Sequence, residues 1–146
     1  FPLFDKAEKI VFIDEPLYYY RKNSGSMTLN IKSSDFDDYI KCAERTLKYL
    51  KQWEMYDVGI GSFAAKQVVF FYNYLRRAYA MNKATFTYGL ECLLDNKMFL
   101  DFCKDLDIQK VHKRLKIRIK IFKKYMLNKN ASALRRLIAI SNLLSR

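Results

Sequence analysis

The chain has 146 residues, of which 51% are hydrophobic and 16% aromatic, with four Gly and two Pro. This composition argues against a disordered chain and predicts one packed, mainly helical domain. Residues 110–146 hold 12 of the 27 Lys and Arg and none of the 15 Asp and Glu, so the whole net charge of +12 lies there and predicts an anionic partner.

The N-terminal segment begins with Phe1 rather than Met and has no charged leader or cleavage site. We therefore expect an excised piece of a longer protein. Two runs rich in β-branched and aromatic residues follow, Lys9–Ile13 and Leu17–Arg21, separated by a turn that contains Pro16. They predict a β-hairpin. Residues 22–34 are rich in Ser and Asn, with one Gly and one Thr, which predicts a polar loop.

From Asp35 the apolar residues recur with helical spacing, which predicts a first helix over 35–50. Ser34 with Asp37 three residues later predicts a capping box at its start. The pair of acidic residues around Phe36 therefore reads as a helix start rather than as a metal site.

A second helix is predicted over about 62–81, preceded by Gly59 and Gly61. Two shorter helices are predicted over 86–94 and 97–105, divided by Asp95-Asn96. The predicted fold class is thus mainly α, a helical bundle preceded by a short β-hairpin.

The basic C-terminal segment alternates like a strand at Leu115–Ile121, but its length and its continuation to Met126 favour an amphipathic helix. A second amphipathic helix is predicted over 131–144. Three roles are open for this segment: binding to an anionic bilayer, a solvated helix packed on the bundle, or, least favoured, contact with nucleic acid. The candidate residues for a membrane surface are Lys113, Arg114, Lys116, Arg118, Lys120, Lys123 and Lys124.

Cys42, Cys92 and Cys103 are far apart in the sequence, and His112 is the only histidine. A zinc site needs about four ligands that converge, so the sequence predicts no metal site. It predicts instead three reduced thiols that line the core. No window is apolar enough to predict a membrane span.

Residues 9–28, KIVFIDEPLYYYRKNSGSMT, carry a resemblance to a known family. An apolar strand, a turn with a leucine, a run of aromatics, an arginine and a Gly-Ser loop ending in Met-Thr follow one another. This order and spacing resemble the end of the nucleotide-sugar domain in bacterial family 2 glycosyltransferases. The matching residues are Leu17, Tyr18, Tyr19, Tyr20, Arg21, Ser24, Gly25, Ser26, Met27 and Thr28.

The resemblance implies a GT-A fold for the parent enzyme, with Mg²⁺ or Mn²⁺ held by an Asp-x-Asp motif and a nucleotide sugar as the donor. It also implies a carboxylate base just ahead of the strand. No Asp-x-Asp precedes the hairpin in this sequence. We therefore expect the catalytic centre, the metal and the nucleotide-sugar and acceptor contacts to lie in the missing domain, and the fragment itself to be non-catalytic.

The loop after the strand supplies the candidate donor- and acceptor-loop residues: Arg21, Ser24 and Ser26, with Tyr20 as packing support. A guanidinium and hydroxyl donors stabilise the charge that develops on a departing nucleotide diphosphate. The simpler alternative is that Arg21 pairs with a surface carboxylate and that the two serines only complete a loop.

The sequence thus predicts three regions: the end of a GT-A domain over 1–34, a helical bundle over 35–109 and a basic amphipathic tail over 110–146. As a whole, it predicts the C-terminal region of a hexosyltransferase-type enzyme of polysaccharide biosynthesis, which transfers a sugar to a growing surface glycan. We expect a cytoplasmic protein, peripheral on the inner membrane face. The alternative is a non-catalytic helical interaction module whose basic tail binds a membrane or a partner.

Overall fold

A computed structural model describes residues 6–9, 11, 14–15 and 30–144 of the chain. The chain divides into two compact units, Phe1–Asn30 and Ile31–Arg146. The predicted hairpin falls outside the described residues apart from isolated positions, and so does most of the predicted polar loop.

The described part of the second unit is a bundle of six α-helices without a β-strand. This confirms the prediction of a mainly helical bundle. The helices are α1 (Ser34–Gln52), α2 (Tyr56–Met81), α3 (Lys83–Asp95), α4 (Lys97–Asp105), α5 (Lys116–Leu127) and α6 (Ala131–Leu143), and a 3₁₀ turn (Ile108–Lys110) joins α4 to α5.

The longest helix, α2, is the centre of the bundle and packs against each of the other five helices. Its buried face is largely aromatic and alanine-rich, so large rings alternate with positions where a neighbouring helix can approach closely. Phe71 packs edge-on against Phe99 of α4, with ring centroids 5.1 Å apart, and Tyr72 packs edge-on against Phe122 of α5 at 5.3 Å. The helices of the basic tail therefore share one hydrophobic core with α1–α4.

The start of α2 differs from the prediction. The helix begins at Tyr56, so Gly59 and Gly61 lie inside its first turns rather than before it. A glycine inside a helix costs about 1 kcal/mol relative to alanine. Tertiary packing overrides that cost here, because a Cβ at Gly61 would lie 3.3 Å from Asp107 Cβ and the Gly61 carbonyl accepts a hydrogen bond from the Asp107 amide.

One interhelical contact depends on the absence of a side chain. The buried ring of Phe36 in α1 lies directly over Gly89 of α3, and a Cβ at Gly89 would overlap three atoms of that ring. The contact brings the backbone of α3 against the first turn of α1, and it requires glycine at this position.

The predicted capping box at the start of α1 is wrong. The N-cap residue is Ser33, and its side chain makes no capping hydrogen bond. Asp35 Oδ2 instead accepts a hydrogen bond from the Lys32 amide at 2.9 Å. Asparagines cap α3, α4 and α6, because the side chains of Asn82, Asn96 and Asn130 accept hydrogen bonds from first-turn amides.

Two helices end in Schellman motifs built on residues other than glycine. At the end of α1, Glu54 has a φ of 55° and Met55 N donates to Leu50 O. At the end of α5, Lys129 has a φ of 49° and Asn130 N donates to Tyr125 O. A left-handed residue with a side chain costs roughly 1 kcal/mol, so both turns hold local strain that the satisfied carbonyls offset.

The C-terminal cap of α1 is Trp53, which is the only tryptophan in the chain. Its half-buried ring lies 5.4 Å from the ring of Tyr49 one turn earlier. This aromatic pair therefore marks the end of α1.

The alternating segment at the start of the tail is helical rather than extended. Ile119, Phe122 and Met126 are fully buried on one side of α5. The prediction of a helix here is confirmed, and the apparent alternation arises because Ile117 and Ile121 lie on the opposite, exposed side.

Candidate functional site

The candidate residues of the glycosyltransferase-like loop, Tyr20, Arg21, Ser24 and Ser26, lie outside the described residues. Their predicted roles stay predictions. Within residues 31–144, the candidate sites are charged and apolar surfaces.

The acidic pair at the start of α1 joins this helix to its neighbours. Asp35 Oδ2 accepts a hydrogen bond of 2.6 Å from the hydroxyl of Tyr74 in α2, and Asp37 accepts one of 2.8 Å from Tyr88 in α3. Burial and the bond to Asp35 raise the pKa of Tyr74, and the bond to Asp37 raises that of Tyr88. The helix-start interpretation therefore holds, with tyrosine hydroxyls as interhelical partners of both carboxylates.

The three cysteines are free thiols, but only one of them lies fully in the core. Cys103 is buried, and burial raises the pKa of its thiol to about 12. Cys92 is half-buried beside Asp37, and burial together with that carboxylate raises its pKa. Cys42 is exposed on α1. The prediction that all three line the core is thus wrong for Cys42, because the buried stripe of α1 follows Phe36, Ile40 and Ala43 instead.

Helix α5 has two apolar faces, and only one of them is covered by the bundle. On the outer face the side chain of Ile117 is 73% exposed and that of Ile121 is 36% exposed. Lys113 precedes this face, and Lys120 and Lys124 lie beside the isoleucines at helical spacing; all three lysines are exposed. We call these five residues the α5 surface.

The seven basic residues proposed from the sequence are brought to α5 and to the turn before it. Lys113, Arg114, Lys120 and Lys124 are exposed, whereas Lys116, Arg118 and Lys123 are half-buried. Two of the half-buried side chains bond to neutral oxygens: Lys116 Nζ donates to Gln109 Oε1 at 2.8 Å, and Lys123 Nζ donates to the Lys104 carbonyl at 3.1 Å.

None of these seven cations forms a salt bridge with any residue that the structure describes. The two ion pairs in that part of the chain are Lys104–Asp101 and Lys129–Asp95. Because residues 110–146 contain no acid, the positive charge of α5 is not neutralised within its own segment. His112 is exposed, and its Nδ1 accepts a 3.4 Å hydrogen bond from the Arg114 amide.

A second basic feature was not predicted from the sequence. A cleft of about 360 Å³ opens between α2, α3 and α6. We call it the α6 cleft. Its floor is aromatic and its rim is cationic, and it is lined by Tyr79, Lys83, Phe86, Thr87, Arg135 and Arg136, together with Ala139.

Arg135 is held in place on the wall of this cleft. Its guanidinium lies 5.6 Å from the centroid of the buried Phe86 ring, and Nη1 donates a 3.2 Å hydrogen bond to Thr87 Oγ1. The sequence signal was the Arg-Arg pair in the basic tail. Thr87 of α3 and Arg135 of α6 are 48 residues apart in the chain, however, and only the fold joins them.

The described residues contain no group of three His, Cys, Asp or Glu side chains that could hold a metal ion. None of the helices in this part of the chain is long and apolar enough to cross a membrane.

The chain matches no protein-family model, and comparisons with curated proteins and with solved structures find no significant match.

Proposed function

We propose that residues 31–144 form a non-catalytic helical module that holds a bacterial family 2 glycosyltransferase against an anionic membrane surface. The observation that carries this proposal is the α5 surface, where two exposed isoleucines lie among three exposed lysines without ion pairs in the described residues. The same helix is anchored to the bundle by its opposite face.

Physical chemistry supports a bilayer as the partner of this surface. A cation near an anionic leaflet gains roughly 1 kcal/mol, and an isoleucine that enters the interface gains roughly 1–2 kcal/mol from the loss of water contact. An α-helix with lysines beside a short apolar stripe can lie in the plane of the interface. A soluble partner would need carboxylates at matching positions and an apolar pocket for two isoleucines. An anionic bilayer supplies negative charge and an apolar interior without requiring a complementary shape.

The glycosyltransferase part of the proposal is supported by the pattern from Leu17 to Thr28 in the sequence. In such an enzyme, sugar transfer from the nucleotide donor to a growing surface glycan would take place in the GT-A domain, with its Mg²⁺ or Mn²⁺. The helical module would then add no reacting group and would keep the enzyme at the inner membrane face, close to its acceptor.

The membrane part is tested by vesicle sedimentation of the full chain with phosphatidylcholine alone and with phosphatidylcholine plus phosphatidylglycerol. We expect binding only in the presence of the anionic lipid. Substitution of Lys113, Lys120 and Lys124 by Gln removes three cations and should weaken binding by about 3 kcal/mol, roughly a hundredfold.

A matched control removes the same charge from the bundle. Lys41, Lys48 and Lys66 are exposed on α1 and α2, and their substitution by Gln should change vesicle binding several times less. Equal losses in the two triple variants would show that net charge alone drives binding and would contradict the proposal. Binding to nucleic acid with a steep salt dependence, but not to anionic vesicles, would favour the nucleic-acid alternative.

The enzymatic part is tested separately. The coding sequence upstream of Phe1 should contain an Asp-x-Asp motif and an acidic pair shortly before the strand, and the 146-residue chain mixed with a nucleotide sugar should give no transfer. Absence of both motifs, or turnover by the chain itself, would overturn this part.

A further inference from the structure

The α6 cleft is lined by positively charged residues that are not part of the α5 surface. Lys83, Arg135 and Arg136 come from two helices far apart in the sequence, and no carboxylate is among the described residues that line the cleft. Within residues 31–144, the side chains of Lys83 and Arg136 make neither a hydrogen bond nor an ion pair. Three cations that line one cleft without a counter-charge favour an anionic ligand.

The geometry of the cleft favours phosphate over a simple chloride-like ion. Arg135 is pre-oriented by the Phe86 ring and by Thr87, so its planar guanidinium loses little freedom when it binds. One of its five N–H donors is used on Thr87, and the others can serve oxygen acceptors. The cleft also lies at the first turn of α3, where Lys83 is the first helical residue and the helix dipole adds positive potential.

An apolar shelf continues from the cationic end of the cleft. A depression of about 170 Å³ shares Tyr79 and Ala139 with the cleft and extends to Leu143, which is 69% exposed. Its polar lining residue, Asn142, uses its side-chain amide to donate a hydrogen bond to the Arg76 carbonyl. Ile140, 54% exposed, is in the same turn of α6. A ligand that fits both parts carries a phosphate at one end and an apolar chain at the other.

From this arrangement we propose that the α6 cleft binds the phosphate headgroup of an anionic phospholipid, with its acyl chain along Tyr79, Ala139 and Leu143. The inference rests on the proposed function, because a membrane supplies the lipid. It adds a headgroup-specific contact to the α5 surface, whose lysines and isoleucines distinguish no particular headgroup. A phosphomonoester such as phosphatidic acid should be preferred over a phosphodiester, because it presents more free oxygens and more charge to the two arginines.

The test uses a lipid that needs no bilayer. Dihexanoyl phosphatidic acid, kept below its micelle concentration, is titrated into the full chain by calorimetry beside inorganic phosphate and dihexanoyl phosphatidylcholine. We expect the phosphatidic acid to bind about tenfold more tightly than inorganic phosphate, since only the lipid fills the apolar shelf, and the phosphatidylcholine to bind weakest. Equal affinity for phosphatidic acid and inorganic phosphate would overturn the lipid assignment.

Two double variants with the same loss of charge locate the site. Arg135→Gln with Arg136→Gln should weaken phosphatidic acid binding about tenfold, whereas Lys120→Gln with Lys124→Gln should leave it within about twofold. Arg136→Gln alone, at an exposed residue without described polar contacts, guards against a folding defect and should still weaken binding. Equal losses in the two double variants would overturn the proposal.

Binding of the short-chain lipid and binding of vesicles, measured on the same chain, separate this inference from the proposed function. If the chain does not bind dihexanoyl phosphatidic acid but still binds phosphatidylglycerol vesicles through α5, the cleft assignment fails alone. If it binds the short lipid and not the vesicles, the membrane-holding function fails and the cleft remains a phosphate-lipid site.

Discussion

The first turn of α1 and the outer face of α5 both carry closely spaced charges of one sign, but the fold treats them in opposite ways. Asp35 and Asp37 are bonded to tyrosine hydroxyls of two neighbouring helices. Lys120 and Lys124 of α5 have no ion pair in the described part of the chain.

This difference separates charges that hold the bundle together from charges that face outward. The carboxylates of α1 lie at a helix N-terminus, where the dipole stabilises them, and they join three helices. The lysines of α5 repel one another at spacings of three and four residues, so they lower the stability of their own helix. These repulsions destabilise the free chain, and binding to an anionic partner would offset them.

The largest expected effect is at the contact between α1 and α3. Gly89→Ala places a methyl group inside the Phe36 ring, and we expect the free energy of unfolding to fall by about 2–3 kcal/mol, measured by chemical denaturation. Gly59→Ala is the matched control, because its Cβ would meet only Leu50 Cδ2 at an ordinary 3.5 Å. That variant should be neutral or more stable by up to about 1 kcal/mol. Equal effects of the two substitutions would show that the Phe36 ring does not lie over Gly89.

The next largest effect is expected from removing the hydrogen bond that Tyr74 of α2 donates to Asp35 of α1. Tyr74→Phe removes the donor to a partly buried carboxylate and should cost about 1.5 kcal/mol. Tyr88→Phe removes a similar bond at an exposed site and should have no measurable effect on stability. Equal losses of stability in the two variants would mean that burial does not make the Tyr74–Asp35 bond more stabilising than the Tyr88–Asp37 bond.

The raised pKa of Tyr74 also gives this bond a pH dependence. The folded protein holds the hydroxyl proton more tightly than the unfolded chain does, so the contribution is fully present below about pH 10 and is lost as the pH rises above that value. The difference in stability between wild type and Tyr74→Phe should therefore narrow above pH 10.

A smaller effect is expected at the two helix ends that hold a left-handed residue, Glu54 after α1 and Lys129 after α5. Lys129→Gly relieves the left-handed residue after α5, and Glu54→Gly does so after α1. Each should stabilise the chain by about 1 kcal/mol, measured as a shift of the denaturation midpoint. Lys129 also pairs with Asp95 across 3.7 Å at the surface, but an exposed pair of this kind contributes little. Destabilisation by either glycine would contradict the Schellman geometry.

The smallest effect is the most direct test of the comparison. Lys120→Glu turns the repulsions with Lys116 and Lys124 into attractions and should stabilise the chain by about 0.5 kcal/mol. The same change should weaken binding to phosphatidylglycerol vesicles. A variant that gained stability and kept its binding would show that Lys120 does not contact the membrane.

Much of the helical bundle could be predicted from the sequence, because its helices are amphipathic and long enough to give a clear period. The bounds of α4 agree with the prediction, and α1, α5 and α6 differ from it by one or two residues. The start of α2 was misplaced because the two glycines look like a break. The close approach of Asp107 accounts for glycine at position 61, whereas nothing in the structure explains the glycine at position 59.

The candidate sites were predictable only in part. The α5 surface follows from local spacing, since Ile117, Lys120, Ile121 and Lys124 lie within about two turns of one helix and Lys113 lies in the turn just before it. The α6 cleft depends on Lys83 and Arg135 meeting across the fold, and no local pattern encodes that contact. The roles of Arg21, Ser24 and Ser26 rest on the sequence pattern alone.

The aromatic pair at the end of α1 has a practical consequence. Because Trp53 is the chain's only tryptophan, its emission reports on one place: the turn between α1 and α2. Unfolding of the bundle should shift that emission, whereas adsorption through α5 should leave it nearly unchanged. Tryptophan emission can thus report unfolding while the fluorescence of a labelled vesicle reports membrane binding, and both can be measured in the same sample.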